Sequence, residues 1–236
     1  MVTVARTENL TSLLDEAAAA FIDLVRDVQS DGTASARVVL TGGGAGIGLL
    51  EKIRERAEEI DWSRIHVFFG DERNVPLDHE DSNERQAREA LLDHVDIPAD
   101  HIHGYGLGSV DMAEAATAYE QTVRDVAPDG FDLHLLGMGH EGHINSLFPH
   151  TPAVRETERL VLSVDDSPKP PPERVTLTLP AVARARRVWL LVSGADKAEA
   201  AAQIVARANP EDWPAAGAEG SEETVLYVTD DAATRL

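Results

Sequence analysis

The sequence predicts a single α/β domain whose mostly parallel β-sheet is covered by helices on both faces. Short and almost continuously apolar runs, such as residues 37–41, 131–136 and 188–192, alternate with longer stretches of helical spacing. Strands that are apolar at nearly every position are typical of a parallel sheet, and their alternation with helices is typical of the α/β class. A length of 236 residues suits one large domain, and no internal repeat or linker is visible, so we assign residues 1–236 to one unit.

The first part of the chain predicts a helix, a strand, a glycine loop and a second helix. Residues 8–29 form an amphipathic helix, because apolar residues recur there at helical spacing with acidic residues between them. Asp31 and Gly32 end this helix, and residues 37–41 form the first buried strand. Residues 42–48 then turn the chain into a helix that contains Leu49, Leu50, Ile53 and Ala57.

The same alternation continues to the end of the sequence. Further strands are expected at Ile65–Phe69 and at residues 101–103, 131–136, 159–164, 188–192 and 224–229. Further helices are expected at residues 83–95, at residues 111–126 and from Gly194 onward. Residues 167–173 form a proline-rich loop, and residues 209–221 form another loop.

The charge of the chain limits the partners that it can bind. It has 42 acidic and 21 basic residues, a formal net charge of −21, and the acids are spread along its whole length. Such a field repels nucleic acids and anionic membranes, so we expect neither as a partner. An anionic substrate therefore needs a local cluster of positive charge. Lysine occurs only at Lys52, Lys169 and Lys197, so a lysine within a motif is noteworthy.

Other classes of chemistry and location are excluded by composition. The chain has no cysteine, which excludes disulfides, thiol nucleophiles and thiolate metal sites. The first 21 residues lack a basic region followed by an apolar core, and no stretch approaches 18 consecutive apolar residues. We therefore expect a soluble, cytoplasmic protein.

One predicted strand delivers glycines and imidazoles to a single place. Residues 131–136 lead into Gly137, Gly139 and Gly142, with His140 and His143 among them. Ligands bind at the carboxyl ends of strands in open parallel sheets, and an imidazole suits proton transfer near neutral pH. The segment is therefore a candidate site for acyl or proton chemistry on a small polar substrate.

Three other interpretations of this segment remain open at this point. The three glycines satisfy the G-x-G-x-x-G pattern of dinucleotide sites, with Asp165 as the ribose-binding acid. A zinc site is a second alternative, with His140, His143, His150 and Glu141 as its donors. The third is an ordinary glycine-rich turn that carries surface histidines.

Three further places at strand or helix ends are candidates for ligand contacts. Residues 42–48 connect a strand to a helix, an arrangement in which free amides and the helix dipole accept an anion. Residues 70–73, Gly-Asp-Glu-Arg, follow the second strand and are hard to explain as core. Lys197 lies at a helix start, where a cation opposes the dipole unless an anion binds beside it.

Five blocks in order resemble one known family. Residues 137–149, GMGHEGHINSLFP, resemble the G-M-G-x-[DE]-G-H-x-x-S-L-F-P signature of the 6-phosphogluconolactonases. Matching blocks also occur at residues 40–44, at residues 70–83, at residues 174–180 and at residues 194–198. The resemblance extends over roughly residues 36 to 200, which is most of the chain. It implies a Rossmann-like sheet shared with sugar-phosphate isomerases and deaminases.

The resemblance also implies an activity and a set of site residues. The activity is hydrolysis of 6-phospho-D-glucono-1,5-lactone to 6-phosphogluconate, without metal or cofactor, by a monomer or homodimer. His143 is then the catalytic base, and Asp71 positions groups in the site. The substrate-binding residues implied by the motifs are Gly42, Gly43, Gly44, Arg73, Asn83, Gly139, Arg174 and Lys197. The chain departs from the family at residues 44–46, Gly-Ala-Gly, where Ser-Thr-Pro is common.

Two alternative functions remain. An amino-sugar-phosphate deaminase or isomerase is similar at Asp71-Glu72 and at Gly142-His143-Ile144, but such enzymes usually have tyrosine at the position of Arg73. They also lack the ending of residues 146–149, Ser-Leu-Phe-Pro. A catalytically silent sugar-phosphate-binding protein is the second alternative, and only the altered glycine loop favours it.

Overall fold

The computed structural model describes residues 1–236, which form six α-helices and ten β-strands. The helices are α1 (Leu10–Gln29), α2 (Gly43–Arg54), α3 (Asn83–Ala90), α4 (Met112–Val126), α5 (Leu179–Val182) and α6 (Ala198–Val205). The strands are β1 (Val2–Thr7), β2 (Ala36–Leu40), β3 (Ile65–Phe69), β4 (Asp71–Arg73), β5 (Ile102–His103), β6 (Phe131–Gly137), β7 (Val161–Val164), β8 (Arg174–Leu177), β9 (Ala185–Val192) and β10 (Glu223–Thr229). None of the helices is both long enough and apolar enough to cross a bilayer.

Seven strands form one parallel sheet in the order β1-β10-β9-β6-β2-β3-β5. The residues from Phe131 to Leu136 in the central strand β6 are all buried. Because successive side chains of a strand point to opposite faces, this burial means that both faces of the sheet are covered. One hydrophobic core of 64 residues continues from α1 to the segment after β10. The predicted α/β class with a mostly parallel sheet is confirmed.

The strand order places a crevice between β2 and β6. From β2 the chain proceeds outward through β3 to β5, whereas from β6 it proceeds to the other side through β9 and β10. The connections therefore diverge at β2 and β6, whose following loops separate and leave space between them. Such a switch point is where open α/β sheets bind ligands. The glycine loop after β2 and the histidine loop after β6 meet there.

Three strands are not predicted by the sequence pattern. β1 is a sheet edge with several exposed residues, so it lacks the continuous apolar run of a buried strand. β4 has only three residues, all of them charged, and β8 alternates polar with apolar residues. These two strands form a separate antiparallel sheet in the order β4-β8-β7. The strand expected at residues 159–164 belongs to this small sheet.

Several predicted helices are shorter than expected, and two of them begin later because a capping residue precedes the first helical residue. Asn9 accepts a hydrogen bond from the Ser12 N–H at 3.1 Å, so α1 begins after it. Asp111 accepts bonds from two N–H groups at the start of α4. The helix expected at residues 83–95 ends at Ala90 and is followed by a short 3-10 turn at Leu92–His94.

Two tyrosines complete the hydrogen bonding of β3 beyond the end of its neighbour. β5 pairs only with Val67 and Phe68, so the outward N–H and C=O of Phe69 have no strand partner. The Tyr119 hydroxyl accepts from the Phe69 N–H at 2.8 Å and lies 3.2 Å from the Phe69 oxygen. The Tyr105 hydroxyl donates to the same oxygen at 3.0 Å. These bonds support the strand that leads into Asp71 and Arg73.

Replacing Tyr119 with phenylalanine is expected to lower the free energy of unfolding by about 1–3 kcal/mol, because the buried Phe69 N–H loses its acceptor. The matched variant Tyr105→Phe should cost less, since Tyr119 still contacts the Phe69 oxygen. Urea unfolding measures both, as a shift in midpoint at constant slope. Equal losses in the two variants would contradict this assignment.

Candidate active site

A cavity of about 410 Å³ opens at the switch point between β2 and β6. Nine of the ten site residues predicted from the sequence line it, and Gly139 does not. The lining residues are Leu10, Thr41, Gly42, Gly43, Gly44, Ala45, Gly46, Asp71, Arg73, Asn83, Gly137, Met138, His143, Asn145, Arg174, Leu191, Ser193 and Lys197. A volume of this size is sufficient for a small sugar phosphate.

The glycine loop forms one wall of the cavity with backbone groups. α2 begins at Gly43, whose φ is +77°, and no side chain caps its first turn. The first N–H groups of a helix have no partner within the helix, so these amides are available to a ligand. A Cβ atom on Gly42 would overlap the Asn83 side chain, which explains the glycine there. The Gly44-Ala45-Gly46 departure thus leaves a wall of amides without hydroxyls.

Thr41 connects the two loops at the switch point. Its Oγ1 accepts a hydrogen bond from the Gly137 N–H at 3.0 Å. This bond joins the end of β2 to the end of β6. It extends the pairing of these two strands, in which Val39 is opposite His134. The hydroxyl proton of Thr41 is not used in this bond, so it remains available on the cavity wall.

His143 faces the cavity with one ring nitrogen and the protein with the other. Nδ1 lies 3.2 Å from Glu141 Oε2 and 3.3 Å from Lys169 Nζ, and no protein group bonds Nε2. The ring stacks on Phe148, with centroids 4.5 Å apart. Its side chain is 18% exposed. The imidazole is therefore held on its rear side while Nε2 is free.

Gly139, predicted as a substrate-binding residue, lies behind His143 and is not among the residues that line the cavity. A Cβ atom at this position would overlap both the His143 ring and the Glu141 carboxylate. The Gly139 N–H donates to the His143 carbonyl at 3.0 Å, and the Gly139 carbonyl accepts from the Gly142 N–H at 3.0 Å. The glycine thus permits a tight turn that brings the imidazole and its carboxylate partner together.

The surroundings of His143 favour its neutral form. Burial lowers its pKa from the usual 6.5, and the Lys169 charge lowers it further, while Glu141 and Asp71 oppose the shift. Burial alone would raise the pKa of Glu141, but its own backbone N–H, Lys169 and His143 bring it down to about 2. At neutral pH the pair therefore consists of a carboxylate and a neutral imidazole.

Asp71 is fixed by hydrogen bonds from both sides. Asn83 Nδ2 donates to the Asp71 carbonyl at 2.8 Å and to Oδ1 at 3.0 Å. Ser146 Oγ donates to Oδ2 at 2.6 Å. Asp71 begins β4, and Ser146 follows His143 by three residues, so this carboxylate ties the small sheet to the histidine loop. Its geometry suits a positioning group.

Glu72 fixes the start of α3 beside Asp71. Its carboxylate accepts from the backbone N–H groups of Arg73, Asn83 and Glu84 at 2.8 to 2.9 Å and from Ser82 Oγ at 3.0 Å. Burial raises its pKa, and these four bonds oppose the shift. Ser82 also caps α3 by accepting a hydrogen bond from the Arg85 N–H. The result is a fixed position for Asn83 on the cavity wall.

Three cations face the cavity against one carboxylate, although the whole chain carries −21. Arg73 and Arg174 are directly opposite each other in the antiparallel β4–β8 pair. Like charges in such a pair repel each other, and an anion bound between them would relieve the repulsion. Arg73 Nη1 donates to Asn83 Oδ1, and Lys197 Nζ donates to the Met138 carbonyl at 2.6 Å.

Most donors of Arg174 bind the proline-rich loop. Nε donates to the Pro171 carbonyl at 2.9 Å, and Nη2 donates to the Lys169 and Pro170 carbonyls at 3.0 and 3.3 Å. Only Nη1 remains, 3.8 Å from Asp71 Oδ2. Burial lowers the pKa of Arg174, Asp71 opposes the shift, and Arg73 adds to it. Arg174 thus contributes charge to the cavity and holds the loop in place.

The geometry disfavours the dinucleotide and zinc alternatives. No helix begins at Gly142, which is followed by turns and a single bridge between Ile144 and Leu147. His140 and His143 both contact Glu141, whereas His150 lies 3.6 Å from Asp212. No group of three or more histidine or acidic side chains is arranged to hold a metal ion.

Sequence reasoning missed the rear side of His143. Glu141 appeared only as a possible zinc donor, and Lys169 only as one of three lysines in the chain. The acidic position of the G-x-[DE]-G-H pattern is the one local signal that points to Glu141. Lys169 is 26 residues from His143, so no local pattern predicts their contact.

The fold and the cavity together define an α/β protein with a pocket suited to a small anionic ligand. The chain belongs to the glucosamine-6-phosphate isomerase/6-phosphogluconolactonase family, whose model matches residues 8–227. This confirms the resemblance found in the sequence.

Individual relatives agree with the family match. The 6-phosphogluconolactonase of Mycobacterium tuberculosis is 53% identical over 210 residues, covering 85% of each chain. That of Streptomyces coelicolor is 43% identical over 238 residues, covering 95% of this chain and 91% of its own. The crystal structure of 6-phosphogluconolactonase from Thermotoga maritima has a TM-score of 0.86 and 31% identity, covering 98% of this chain and 100% of that chain.

Proposed function

We propose that this chain hydrolyses 6-phospho-D-glucono-1,5-lactone to 6-phospho-D-gluconate in the oxidative pentose phosphate pathway. Relatives named 6-phosphogluconolactonase at up to 53% identity support the reaction. The observation that carries the mechanism is the free Nε2 of His143, which faces a cavity that also holds Arg73 and Lys197. The proposal includes a cytoplasmic location and a monomeric or homodimeric state.

In this mechanism His143 acts as a general base and then as a general acid. Nε2 takes a proton from water as the water oxygen attacks C1 of the lactone, which forms a tetrahedral intermediate. The imidazolium then returns the proton to the ring oxygen as the bond between C1 and that oxygen breaks. The products are a free hydroxyl and a carboxylic acid, which releases its proton to solvent. Glu141 accepts from Nδ1–H, so the free Nε2 carries the lone pair.

The other cavity residues bind and orient the substrate. The amides of residues 42–46 stabilise the oxyanion of the intermediate, a contribution of about 3 kcal/mol per donor where it has been measured in hydrolases. Arg73 and Lys197 hold the phosphate, with Arg174 adding charge. A planar guanidinium suits a phosphate because it donates two parallel hydrogen bonds. The reaction needs no metal or cofactor, because a lactone is an activated ester that water attacks once a base assists it.

The test of this function is the rate of acid release from freshly generated 6-phosphogluconolactone, compared with its spontaneous hydrolysis. We expect acceleration that an excess of chelator does not remove. Ammonia release from glucosamine 6-phosphate, measured in parallel, tests the deaminase alternative. If folded protein binds 6-phosphogluconate but does not accelerate lactone hydrolysis, it is a silent binder and the proposal is wrong.

A further inference from the structure

Behind His143, Lys169 and Glu141 form an ion pair that contacts the imidazole and does not line the cavity. Lys169 Nζ lies 2.9 Å from Glu141 Oε1 and 3.3 Å from Oε2, and it is also 3.3 Å from His143 Nδ1. Glu141 Oε2 is in turn 3.2 Å from the same Nδ1. Neither Lys169 nor Glu141 contacts the space that a substrate would occupy.

The main chain that carries Lys169 is anchored to the site. Arg174, a cavity residue, donates to the carbonyls of Lys169, Pro170 and Pro171. The Lys169 N–H donates to Ser167 Oγ at 3.3 Å. The ammonium is also 5.9 Å from the centre of the Phe148 ring, on which His143 stacks. Proline fixes backbone φ, so a short loop with three consecutive prolines restricts where this lysine can lie.

The ion pair balances two opposite charges on one imidazole. The charged groups that act on His143 are Glu141, Lys169 and Asp71, and His140 lies beyond Glu141 at 3.4 Å. Lys197, across the cavity, also interacts with the charges of Lys169 and Glu141. Among the uncharged neighbours, Phe148 stacks on the ring, and Trp213 packs against Gly142. A carboxylate alone at Nδ1 would stabilise the imidazolium and make it a poor acid. A neighbouring ammonium offsets that stabilisation.

We propose that Lys169 is a positioning residue that offsets the charge of the Glu141 carboxylate and keeps His143 neutral until the imidazole takes a proton from the attacking water. This inference rests on the proposed lactonase function. It explains why one of only three lysines in the chain lies beside the imidazole although it does not face the substrate. With Lys169 present, Glu141 orients the ring through Nδ1–H, and the imidazolium still returns its proton to the leaving ring oxygen.

The test is the pH dependence of kcat/KM in Lys169→Met, a variant of similar length without charge. Loss of the ammonium should favour the imidazolium, so we expect the acid limb to move to higher pH. Activity should fall roughly threefold at pH 6 and less than twofold at pH 8, with KM almost unchanged. Lys169→Arg should keep the wild-type profile. Lys52→Met is the matched control, because Lys52 pairs with Asp15 at 3.0 Å, outside the cavity.

A second measurement does not depend on the reaction. NMR titration of the His143 ring, assigned by comparison with His143→Gln, should give a higher pKa in Lys169→Met than in the wild type. An unchanged titration, a uniform loss at all pH values, or a change in KM alone would overturn the inference. Absence of lactone turnover in the wild type would instead count against the proposed function, and the titration would still test the role of Lys169.

Discussion

Replacing His143 with alanine is expected to lower kcat by about 10²–10⁴-fold with a modest change in KM, because a positioned base contributes on that scale. Nε2 faces the cavity without a protein partner, so its loss removes the proton acceptor while the phosphate-binding residues stay in place. Initial rates of acid release, corrected for spontaneous hydrolysis, measure the effect. The control His150→Ala should retain wild-type kcat, because His150 is an exposed residue beside Asp212. Near-normal turnover by His143→Ala would disprove the assigned role.

The pH profile of the wild-type enzyme follows from the same residue. Burial and Lys169 lower the pKa of His143 below its usual 6.5. The base is active when it is deprotonated, so kcat/KM should be constant near neutral pH and should decrease only as the pH falls through that lowered value. The decrease of kcat/KM at low pH should follow the titration of a single group. It should be absent from the pH profile of the residual activity of His143→Ala.

Replacing Arg73 with alanine is expected to raise KM for the phosphorylated lactone by about 10–100-fold, which corresponds to roughly 1.4–2.8 kcal/mol of binding free energy. Arg73 lines the cavity opposite Arg174, and Asn83 holds its guanidinium through a hydrogen bond to Nη1. The reacting centre is not changed directly, so kcat should decrease much less than in His143→Ala. Steady-state kinetics with 6-phosphogluconolactone measure both constants.

Unphosphorylated glucono-1,5-lactone separates phosphate binding from other effects of this substitution. Loss of Arg73 should leave kcat/KM for this substrate nearly unchanged, so the preference for the phosphorylated lactone should fall. Arg73→Lys should lie between the wild type and alanine, because a lysine keeps the charge but not the planar fork. Arg85→Ala is the matched control, since Arg85 pairs with Glu89 outside the cavity. Equal losses with both substrates would refute a phosphate role.

The sequence predicted most of the large sheet because burial leaves a local pattern. Residues 131–136 are apolar enough to be recognised as a strand covered on both sides, and they form the centre of the sheet. The glycine loop after β2 was likewise recognisable, since a strand, several glycines and a helix start follow each other directly. Five ordered blocks identified the family, which the comparisons confirm.

The small antiparallel sheet could not be predicted in the same way. β4 consists of three charged residues, and its pairing with β8 joins segments about 100 residues apart. That pairing sets Arg73 opposite Arg174 and places Asp71 within reach of Ser146. Local periodicity reports whether a segment is buried, but not which distant segment it pairs with.

The sequence by itself determined the fold class, the family and nine of the residues that line the cavity. Only the tertiary structure decided how those groups are used. It set Gly139 behind His143, bound most of the Arg174 donors to a loop, and brought Lys169 to Glu141. The contact of Lys169 with Glu141 joins segments 28 residues apart, so it depends on strand order and loop path, which no local run of residues encodes. The Gly139 turn and the Arg174 bonds are local in sequence, but they depend on backbone and side-chain geometry that the residue types alone do not specify.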